Sequence, residues 1–310
     1  MSRITSACVL CCLFLLTFEV AAKERYNHWA KEKIRFHYQR VQREPHNVGL
    51  RVLLSQAYYD DGKYSEAEEQ LNRALELEPA YAEAHCNLAI VLQALTRMPE
   101  AREHFEVALA LDSTLVEAMA GLGTLLCATN RQGLGIKYLE KVLELDPQRI
   151  SARFNIAVAY HKIGDTRMAI THLERMMEEP VKYPGSEKAL GQAYFTRGLT
   201  LLQAKKPEEA LVTFAKAFQY ATDDEDLYFA IGISHLKLEQ LANAEQAFAS
   251  AVELDARHVP ALHNLATVCE RTNRPDEARV YYERVQDLTP HLDSIEAVRN
   301  AQYDEEFLLR

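Results

Sequence analysis

A short pattern recurs along the chain at a fixed spacing, and this recurrence limits the fold more than any other feature of the sequence. The stretches "GKYSEAEEQLNRALELEP" (62–79), "TRMPEAREHFEVALALDS" (96–113) and "TNRPDEARVYYERVQDLTP" (272–290) each join a turn to an amphipathic helical run. Alignment of the copies gives units that begin at Val48, Ala82, Val116, Ile150, Gly191, Glu225 and Val259. The units follow one another every 34 residues, except for one spacing of 41. Such a period predicts an array of stacked supersecondary units.

Three positions within the unit hold the same kind of side chain in every copy. The eighth position is small, with Ser55, Ala89, Gly123, Ala157, Gly198, Gly232 and Ala266. The twentieth is also small, with Ala67, Ala101, Gly135, Ala169, Ala210, Ala244 and Ala278. The twenty-fourth is bulky, with Leu71, Phe105, Leu139, Leu173, Phe214, Phe248 and Tyr282. In this combination of period and positions, the chain resembles the tetratricopeptide repeat, a helix-turn-helix unit.

The resemblance implies an all-α fold, a right-handed superhelical α-solenoid of about seven helix-turn-helix units with terminal capping helices. Pro99, Pro207 and Pro275 agree, since each falls at the start of a second helix, where proline is tolerated. Pro180 and Pro184 instead mark an inserted joint, ordered or semi-flexible, that divides the array into four repeats and three. The expected segments are 1–22 (signal peptide or N-terminal anchor), 23–47 (half-repeat helix), 48–183 (repeats one to four with the start of the joint), 184–190 (inserted joint), 191–292 (repeats five to seven) and 293–310 (capping helix and tail).

The N-terminal stretch differs in character from the rest of the chain. "MSRITSACVLCCLFLLTFEVAA" has one arginine, an apolar run, and small residues at Val20 and Ala22 that fit a cleavage site. We interpret it as a secretory signal cut after Ala22, so that the protein is exported, to the periplasm if bacterial and otherwise secreted. The alternative is a membrane anchor formed by residues 4–22, against which Glu19 and the marginal length count.

Composition restricts the class of partner. The formal net charge of -10 argues against a nucleic-acid-binding protein, because neutralisation of phosphates needs a basic surface. A local basic cluster between Lys31 and Arg43 is interpreted as the solvated face of one helix rather than a phosphate or lipid site. Beyond the signal, Cys86, Cys127 and Cys269 have no metal-like spacing, and we expect buried thiols rather than a disulfide.

Motifs for catalysis are missing from the sequence. The histidines are dispersed, and His258 and His263 are expected on the surface or in the groove rather than on a metal. The stretch "GLGTLL" at 121–126 lies inside a predicted helix, where glycine serves close packing rather than phosphate binding. We therefore expect a protein that is not an enzyme, with no catalytic residues, no cofactor, no metal and no small-molecule substrate.

In the tetratricopeptide family, the first helix of each unit lines the concave face through its second, fifth, sixth, ninth, twelfth and thirteenth positions. The resemblance places Asn87, Asn155 and Asn264 on this face at the sixth position. They resemble the asparagine ladder with which some arrays hold an extended peptide, because an amide both donates and accepts hydrogen bonds. Other residues interrupt the ladder, so asparagines bonded to water or to a neighbouring turn are an equal alternative.

Units four to six carry an apolar stripe on the same face. It comprises Phe154, Phe195 and Phe229 at the fifth position, Val158, Leu199 and Ile233 at the ninth, and Leu202 and Leu236 close by. We expect part of each phenylalanine ring to be available to a partner's amphipathic helix or apolar peptide. The alternative is that the groove closes on itself, or that the joint or a terminal helix fills it.

Two classes of function follow from these observations. The first is an exported scaffold that binds one or more proteins or peptides in its groove during assembly of a cell-envelope or secreted complex. The second is a self-associating structural protein, in which the groove or an end helix docks onto another copy. An accessory subunit that handles glycans or lipids is a third class, with less support in the sequence.

Overall fold

The described structure is helical. The computed structural model describes residues 29–180, 183–292, 294–301 and 303, and their regular structure contains no strand. The predicted signal or anchor (1–22) lies outside the described residues, as do residues 304–310 of the predicted tail. The helices are α1 (29–43), α2 (Val48–Asp60), α3 (Tyr64–Leu77), α4 (Ala82–Ala94), α5 (Met98–Leu111), α6 (Val116–Ala128), α7 (Gln132–Leu145), α8 (Ile150–Lys162), α9 (Thr166–Met177), α10 (Ser186–Gln203), α11 (Pro207–Ala217), α12 (Glu225–Lys237), α13 (Leu241–Leu254), α14 (Val259–Arg271), α15 (Pro275–Leu288) and α16 (Ile295–Arg299). Within these ranges, none of the helices has both the length and the apolar character needed to cross a bilayer.

Successive helices pack in pairs, and the pairs repeat along the chain. Contacts join α2 to α3, α4 to α5, α6 to α7, α10 to α11, α12 to α13 and α14 to α15. Second helices also contact the first helix of the following pair, as α3 contacts α4 and α13 contacts α14. The predicted all-α solenoid of helix-turn-helix units is therefore confirmed.

The predicted unit starts coincide with helix starts at all but one place. Val48, Ala82, Val116, Ile150, Glu225 and Val259 are the first residues of α2, α4, α6, α8, α12 and α14. Pro207 and Pro275 are the first residues of α11 and α15, and Pro99 lies in the first turn of α5. Proline is favoured there because its missing N–H removes no helical hydrogen bond.

The unit predicted to begin at Gly191 is the exception, because α10 already begins at Ser186. Gly185 precedes this helix in the left-handed conformation, with a φ of 81°. The Ser186 hydroxyl donates a 2.7 Å hydrogen bond to the carbonyl of Tyr183, which fixes the entry of the chain into the helix. Most of the predicted joint, residues 184–190, is therefore a helical extension of α10.

The chain forms two compact units, Met1–Ala152 and Arg153–Arg310. The boundary falls within α8, whereas the sequence predicted a division at 184–190, which lies inside the second unit. In the first unit, α4, α5 and α6 share a core around Phe105. In the second, α14, α15 and α16 share a core around Tyr282.

Every repeat turns between its two helices through a residue in the left-handed conformation. These residues are Gly62, Thr96, Asn130, Gly164, Lys205, Glu239 and Asn273, with φ from 58° to 82°. Each is the fifteenth residue of its unit, so the backbone repeats with the same period as the side-chain pattern. Glycine adopts this conformation freely, but a β-branched residue such as Thr96 is strained in it.

Candidate functional site

The apolar stripe predicted in repeats four to six is largely internal packing. Leu199 and Ile233 are buried, and Phe229 is 0% exposed. The Phe229 ring packs against Phe248 and His258, with ring centroids 5.8 and 5.3 Å away. The expectation that part of this ring is available to a partner is therefore wrong, because Phe248 of the same repeat and His258, the residue that caps α14, cover it.

Of the other members of the stripe, Leu202 is buried, and Phe154, Phe195, Val158 and Leu236 are half-buried. The Phe154 ring lies 5.0 Å from the ring of Tyr183, which belongs to the segment before α10. The Phe195 ring lies 6.0 Å from the ring of Phe214 in the second helix of its own repeat. The segment before α10 thus covers part of Phe154, as the alternative interpretation of the stripe expected. Its remaining surface does not continue onto the buried Phe229.

The asparagines of the predicted ladder have different surroundings. Asn264 is buried, and its amide nitrogen donates to two backbone carbonyls, that of Pro260 at 2.9 Å and that of Tyr303 at 2.7 Å. Asn155 is half-buried. Asn87 is also half-buried, and its side chain has no hydrogen-bond partner among the residues that the structure describes. Asn264 therefore makes the contact that the resemblance implies, with a segment of the chain itself.

Asn87 lines two adjoining pockets on the first helices of repeats one to three. The smaller, of about 140 Å³, is lined by Ser55, Gln56, Tyr59 and Asp60 of α2 and by Asn87, Ile90 and Val91 of α4. The larger, of about 230 Å³, is lined by Gln56, Glu83, Cys86, Asn87, Leu115 and Glu117. A cavity of about 150 Å³ holds a benzene-sized group, so each pocket has the size of one side chain.

Carboxylates give the larger pocket its charge. Glu83 and Glu117 line it, and its lining includes no cationic side chain. Glu117 also pairs with Arg149 at 3.2 Å, and Asp60 of the smaller pocket pairs with Lys33 at 2.6 Å. A concave surface lined by charges of one sign attracts ligands of the other sign. The larger pocket is therefore suited to a cationic side chain.

Cys86 lies in the wall of the larger pocket and is almost fully buried. Burial raises the pKa of its thiol to about 12, and the carboxylates of Glu117 and Glu83 add to the effect. Because the thiolate is the nucleophilic form of cysteine, this thiol is unreactive at neutral pH. Cys127 and Cys269 are likewise buried thiols, as the sequence predicted.

His258 and His263 are buried, in contrast to the predicted surface or groove location. His258 caps α14, since its Nδ1 accepts a 3.0 Å hydrogen bond from the amide of Ala261. The His263 ring lies between those of Tyr282 and Tyr303, with centroid distances of 5.7 and 5.1 Å. Within the described ranges, no group of three side chains could hold a metal ion.

A polar pocket of about 430 Å³ lies in the second unit, between α9, α10 and α11. Glu174 accepts a hydrogen bond from the Tyr194 hydroxyl and pairs with Lys216 at 3.8 Å. Burial, together with the neighbouring carboxylate, raises the pKa of Tyr194. Because these polar groups already satisfy one another, this pocket is a weaker candidate than the pair beside Asn87.

Sequence reasoning missed Gln56, Glu83 and Glu117 as site residues. They occupy the ninth, second and second positions of their units, which belong to the face that the resemblance assigned to binding. The sequence signal for the two glutamates is an acidic residue at the second position of two successive repeats. The phenylalanine stripe was favoured because apolar recurrence is a stronger sequence pattern than two separated carboxylates.

Comparison with known proteins agrees with the repeated helical pairs. Residues 56–95 match a family described as "TPR repeat", and residues 229–293 match one described as "Tetratricopeptide repeat". Together with the fold, these matches identify the chain as a tetratricopeptide repeat protein. Among curated proteins, the human protein O-mannosyl-transferase TMTC3 is 34% identical over 82 residues, which are 26% of this chain and 9% of that protein. The match thus covers a small part of that relative's length.

Solved structures show the same fold. The C-terminal part of a TPR repeat-containing protein from Cytophaga hutchinsonii superposes with a TM-score of 0.58 at 16% identity, over 80% of this chain and 98% of that one. A structure of Naa15/Naa10 bound to HypK-THB gives a TM-score of 0.52 at 16% identity, over 90% of this chain and 42% of that one. At these identities the likeness concerns the fold alone.

Proposed function

We propose that the protein is a non-catalytic scaffold that binds an extended peptide of a partner protein on the first-helix face of repeats one to three. Tetratricopeptide repeats indicate a protein–protein interaction scaffold in general. The observation that carries the more specific proposal is the 2.7 Å hydrogen bond from Asn264 to the carbonyl of Tyr303. Asn87 holds the same position in its own repeat, beside two pockets, and its amide can make the same bond to an incoming backbone.

The proposed ligand carries a lysine or arginine. Its backbone carbonyl accepts from Asn87, and its cationic side chain enters the pocket lined by Glu83 and Glu117. The smaller pocket, beside Tyr59 and Ile90, takes an apolar side chain of the same segment. Alternate residues of an extended chain face the same side, so residues i and i+2 of the ligand fill the two pockets.

The proposal is tested by selecting binders from a phage library of random peptides against the purified chain. Enriched peptides should contain lysine or arginine, and their affinity should fall at least tenfold in the variant Asn87→Ala. The matched control is Asn72→Ala, at an exposed position of α3 in the same compact unit, Met1–Ala152, which should leave affinity unchanged. Equal binding by the Asn87 and Asn72 variants would place the ligand elsewhere.

The charge preference has its own test. The double variant Glu83→Gln and Glu117→Gln should weaken the selected peptides and remove most of the dependence of their affinity on ionic strength, because charge attraction is screened by salt. The control double variant, Glu76→Gln with Glu144→Gln, changes the net charge by the same amount at exposed positions of the same compact unit. If both double variants bind alike, the pocket does not recognise the cation.

We also propose that the protein is exported, to the periplasm if bacterial and otherwise secreted, and that it acts in assembly of a cell-envelope or secreted complex. The support is the apolar stretch within residues 4–22 and the small residues before Lys23. Mass spectrometry of protein recovered from the native host should find a chain that begins at Lys23. An intact N-terminus in a membrane fraction would favour the anchor, and an intact N-terminus in a soluble cytosolic fraction would contradict export.

A further inference from the structure

The chain that follows α16 returns to the first helix of the last repeat. Asn264 of α14 donates one amide hydrogen bond to its own helix, at the Pro260 carbonyl, and one to the backbone carbonyl of Tyr303, at 2.9 and 2.7 Å. The Tyr303 ring packs on the ring of His263, with centroids 5.1 Å apart. Tyr303 is half-buried, and its burial raises the pKa of the phenol. Tyr303 thus contacts α14 through its backbone carbonyl and its aromatic ring.

The residues that hold this segment occupy ligand-facing positions of the repeat. His263 and Asn264 are the fifth and sixth residues of unit seven, where units two and four have Cys86 with Asn87 and Phe154 with Asn155. A side-chain amide that donates to a backbone carbonyl recognises the backbone of a segment and not its sequence. The ring of His263 adds a contact with an aromatic side chain, since its plane is inclined by 56° to that of the Tyr303 ring.

The returning segment is anchored separately from the cap that precedes it. The cap, α16, has only five residues, but Val298 is fully buried and packs in the core around Tyr282. Arg299 pairs with Glu270 at 2.6 Å and lies over the Tyr282 ring. These contacts hold α16 in place without the contact between Asn264 and Tyr303. Release of the segment around Tyr303 therefore leaves the cap of the last repeat in place.

We propose that the face of α14 formed by His263 and Asn264 is a second peptide-binding site, for an extended segment bearing an aromatic residue, and that the chain's own segment around Tyr303 is its built-in occupant. A partner segment of the same chemistry displaces this occupant and makes the same two contacts. In the intact protein, the segment around Tyr303 then competes with a partner for this site and lowers the partner's apparent affinity. The proposal rests on the proposed function in one respect, the asparagine-to-carbonyl contact as the element that recognises the ligand.

The test uses a fluorescein-labelled peptide with the sequence of residues 300–310, "NAQYDEEFLLR". A chain that ends at Arg299, and so keeps α16, should bind this peptide at least tenfold more tightly than the intact chain, as measured by fluorescence anisotropy. In the shortened chain, Asn264→Ala and a peptide with alanine in place of the tyrosine should each reduce affinity about tenfold. Asn243→Ala, at an exposed position of α13, is the matched control. Absence of binding, or binding insensitive to Asn264, would overturn the proposal.

A second measurement does not depend on the stability of the shortened chain. In the intact protein, an excess of the unlabelled peptide should increase amide hydrogen exchange in residues 300–310 while exchange in α14 and α15 stays unchanged. Unchanged exchange in residues 300–310 would show that the segment is a fixed part of the cap, and would also overturn the proposal.

Failure here is distinguishable from failure of the site at Asn87. If the tail peptide does not bind but the peptides selected by phage display still depend on Asn87, only the site on α14 is wrong. If the tail peptide binds through Asn264 and Asn87→Ala has no effect, only the site on the first helices of repeats one to three is wrong.

Discussion

The ring of Phe214 occupies the space that a side chain on Gly198 would need. A Cβ built on Gly198 would lie 2.6 Å from Cδ1 and 2.7 Å from Cζ of Phe214, well inside van der Waals contact. The same relationship joins Gly232 to Phe248, whose Cζ would lie 2.9 Å from the added Cβ. The small eighth and bulky twenty-fourth positions of the repeat are therefore one packing unit. In repeats five and six the ring fills the space opposite a glycine, whereas repeat two combines Ala89 with Phe105.

This relationship predicts that Gly198→Ala lowers the free energy of unfolding. Overpacking of a filled core costs about 1–3 kcal/mol, which exceeds the gain in helix propensity. Gly133→Ala is the control, because nothing lies within 4 Å of an added Cβ there, and it should raise stability slightly. Adding Phe214→Leu to Gly198→Ala should recover part of the loss, since Ala157 and Leu173 coexist as the corresponding pair in repeat four. Urea unfolding followed by circular dichroism measures all three. A loss no larger in Gly198→Ala than in Gly133→Ala would contradict the packing argument.

The turn at Thr96 predicts a stabilising substitution. Thr96 has a φ of 61° although its Cβ is branched, and left-handed backbone costs an ordinary residue about 1–2 kcal/mol. Asparagine tolerates this conformation and already occupies the corresponding positions 130 and 273. Thr96→Asn should therefore raise the free energy of unfolding by about 1 kcal/mol. The reciprocal change, Asn130→Thr, should lower it by a similar amount, and identical unfolding curves for the two variants would refute the explanation.

The burial of Phe229 predicts a large loss of stability on truncation. Phe229→Ala removes a ring that is 0% exposed and should cost about 3–5 kcal/mol, because the cavity it leaves cannot fully collapse. Val212→Ala removes an aliphatic side chain that is 65% exposed and should change stability by less than about 0.5 kcal/mol. Thermal and chemical unfolding of both variants decide the point. A Phe229→Ala variant as stable as wild type would show that the ring is not part of the core and would support the exposed position that the sequence predicted.

A pair of histidines predicts how stability depends on pH. His85 Nδ1 and His104 Nδ1 lie 2.9 Å apart, and burial, followed by the neighbouring His85, lowers the pKa of His104 from its ordinary value of 6.5. Acid therefore protonates His104 more readily in the unfolded chain than in the folded one. Its contribution to stability is complete above pH 6.5 and is lost as the pH falls below that value toward the lower folded pKa.

The variant His104→Asn should flatten this dependence, because it keeps a donor to His85 without a group that titrates. His46→Asn removes an exposed imidazole and serves as the control. Urea unfolding at several values between pH 5 and pH 8 gives the slopes. Equal slopes for wild type and His104→Asn would show that the pair does not contribute.

Local pattern was sufficient to predict the helical pairs, because the period, the small positions and the prolines are all properties of short segments. It failed at Phe229, since the fifth position has the same sequence signal whether the following repeat covers it or leaves it open. It also failed at Ser186, where the extra turn of α10 replaced a predicted joint. The contact between Asn264 and Tyr303 joins residues 39 apart in sequence, and no local pattern encodes such a pairing.

Thr96 belongs to the same helical pair as Asn87, the second repeat of the array. In repeat proteins the stability of each repeat is set mainly by its own sequence and its nearest neighbours. The pair that presents the proposed ligand contacts therefore carries a strained turn and opens more easily than it would with glycine or asparagine there. We expect a bound peptide, which spans α2, α4 and α6, to suppress this opening. Substitutions that tighten peptide binding and substitutions that relieve the turn at Thr96 would then both raise the free energy of opening of the second repeat.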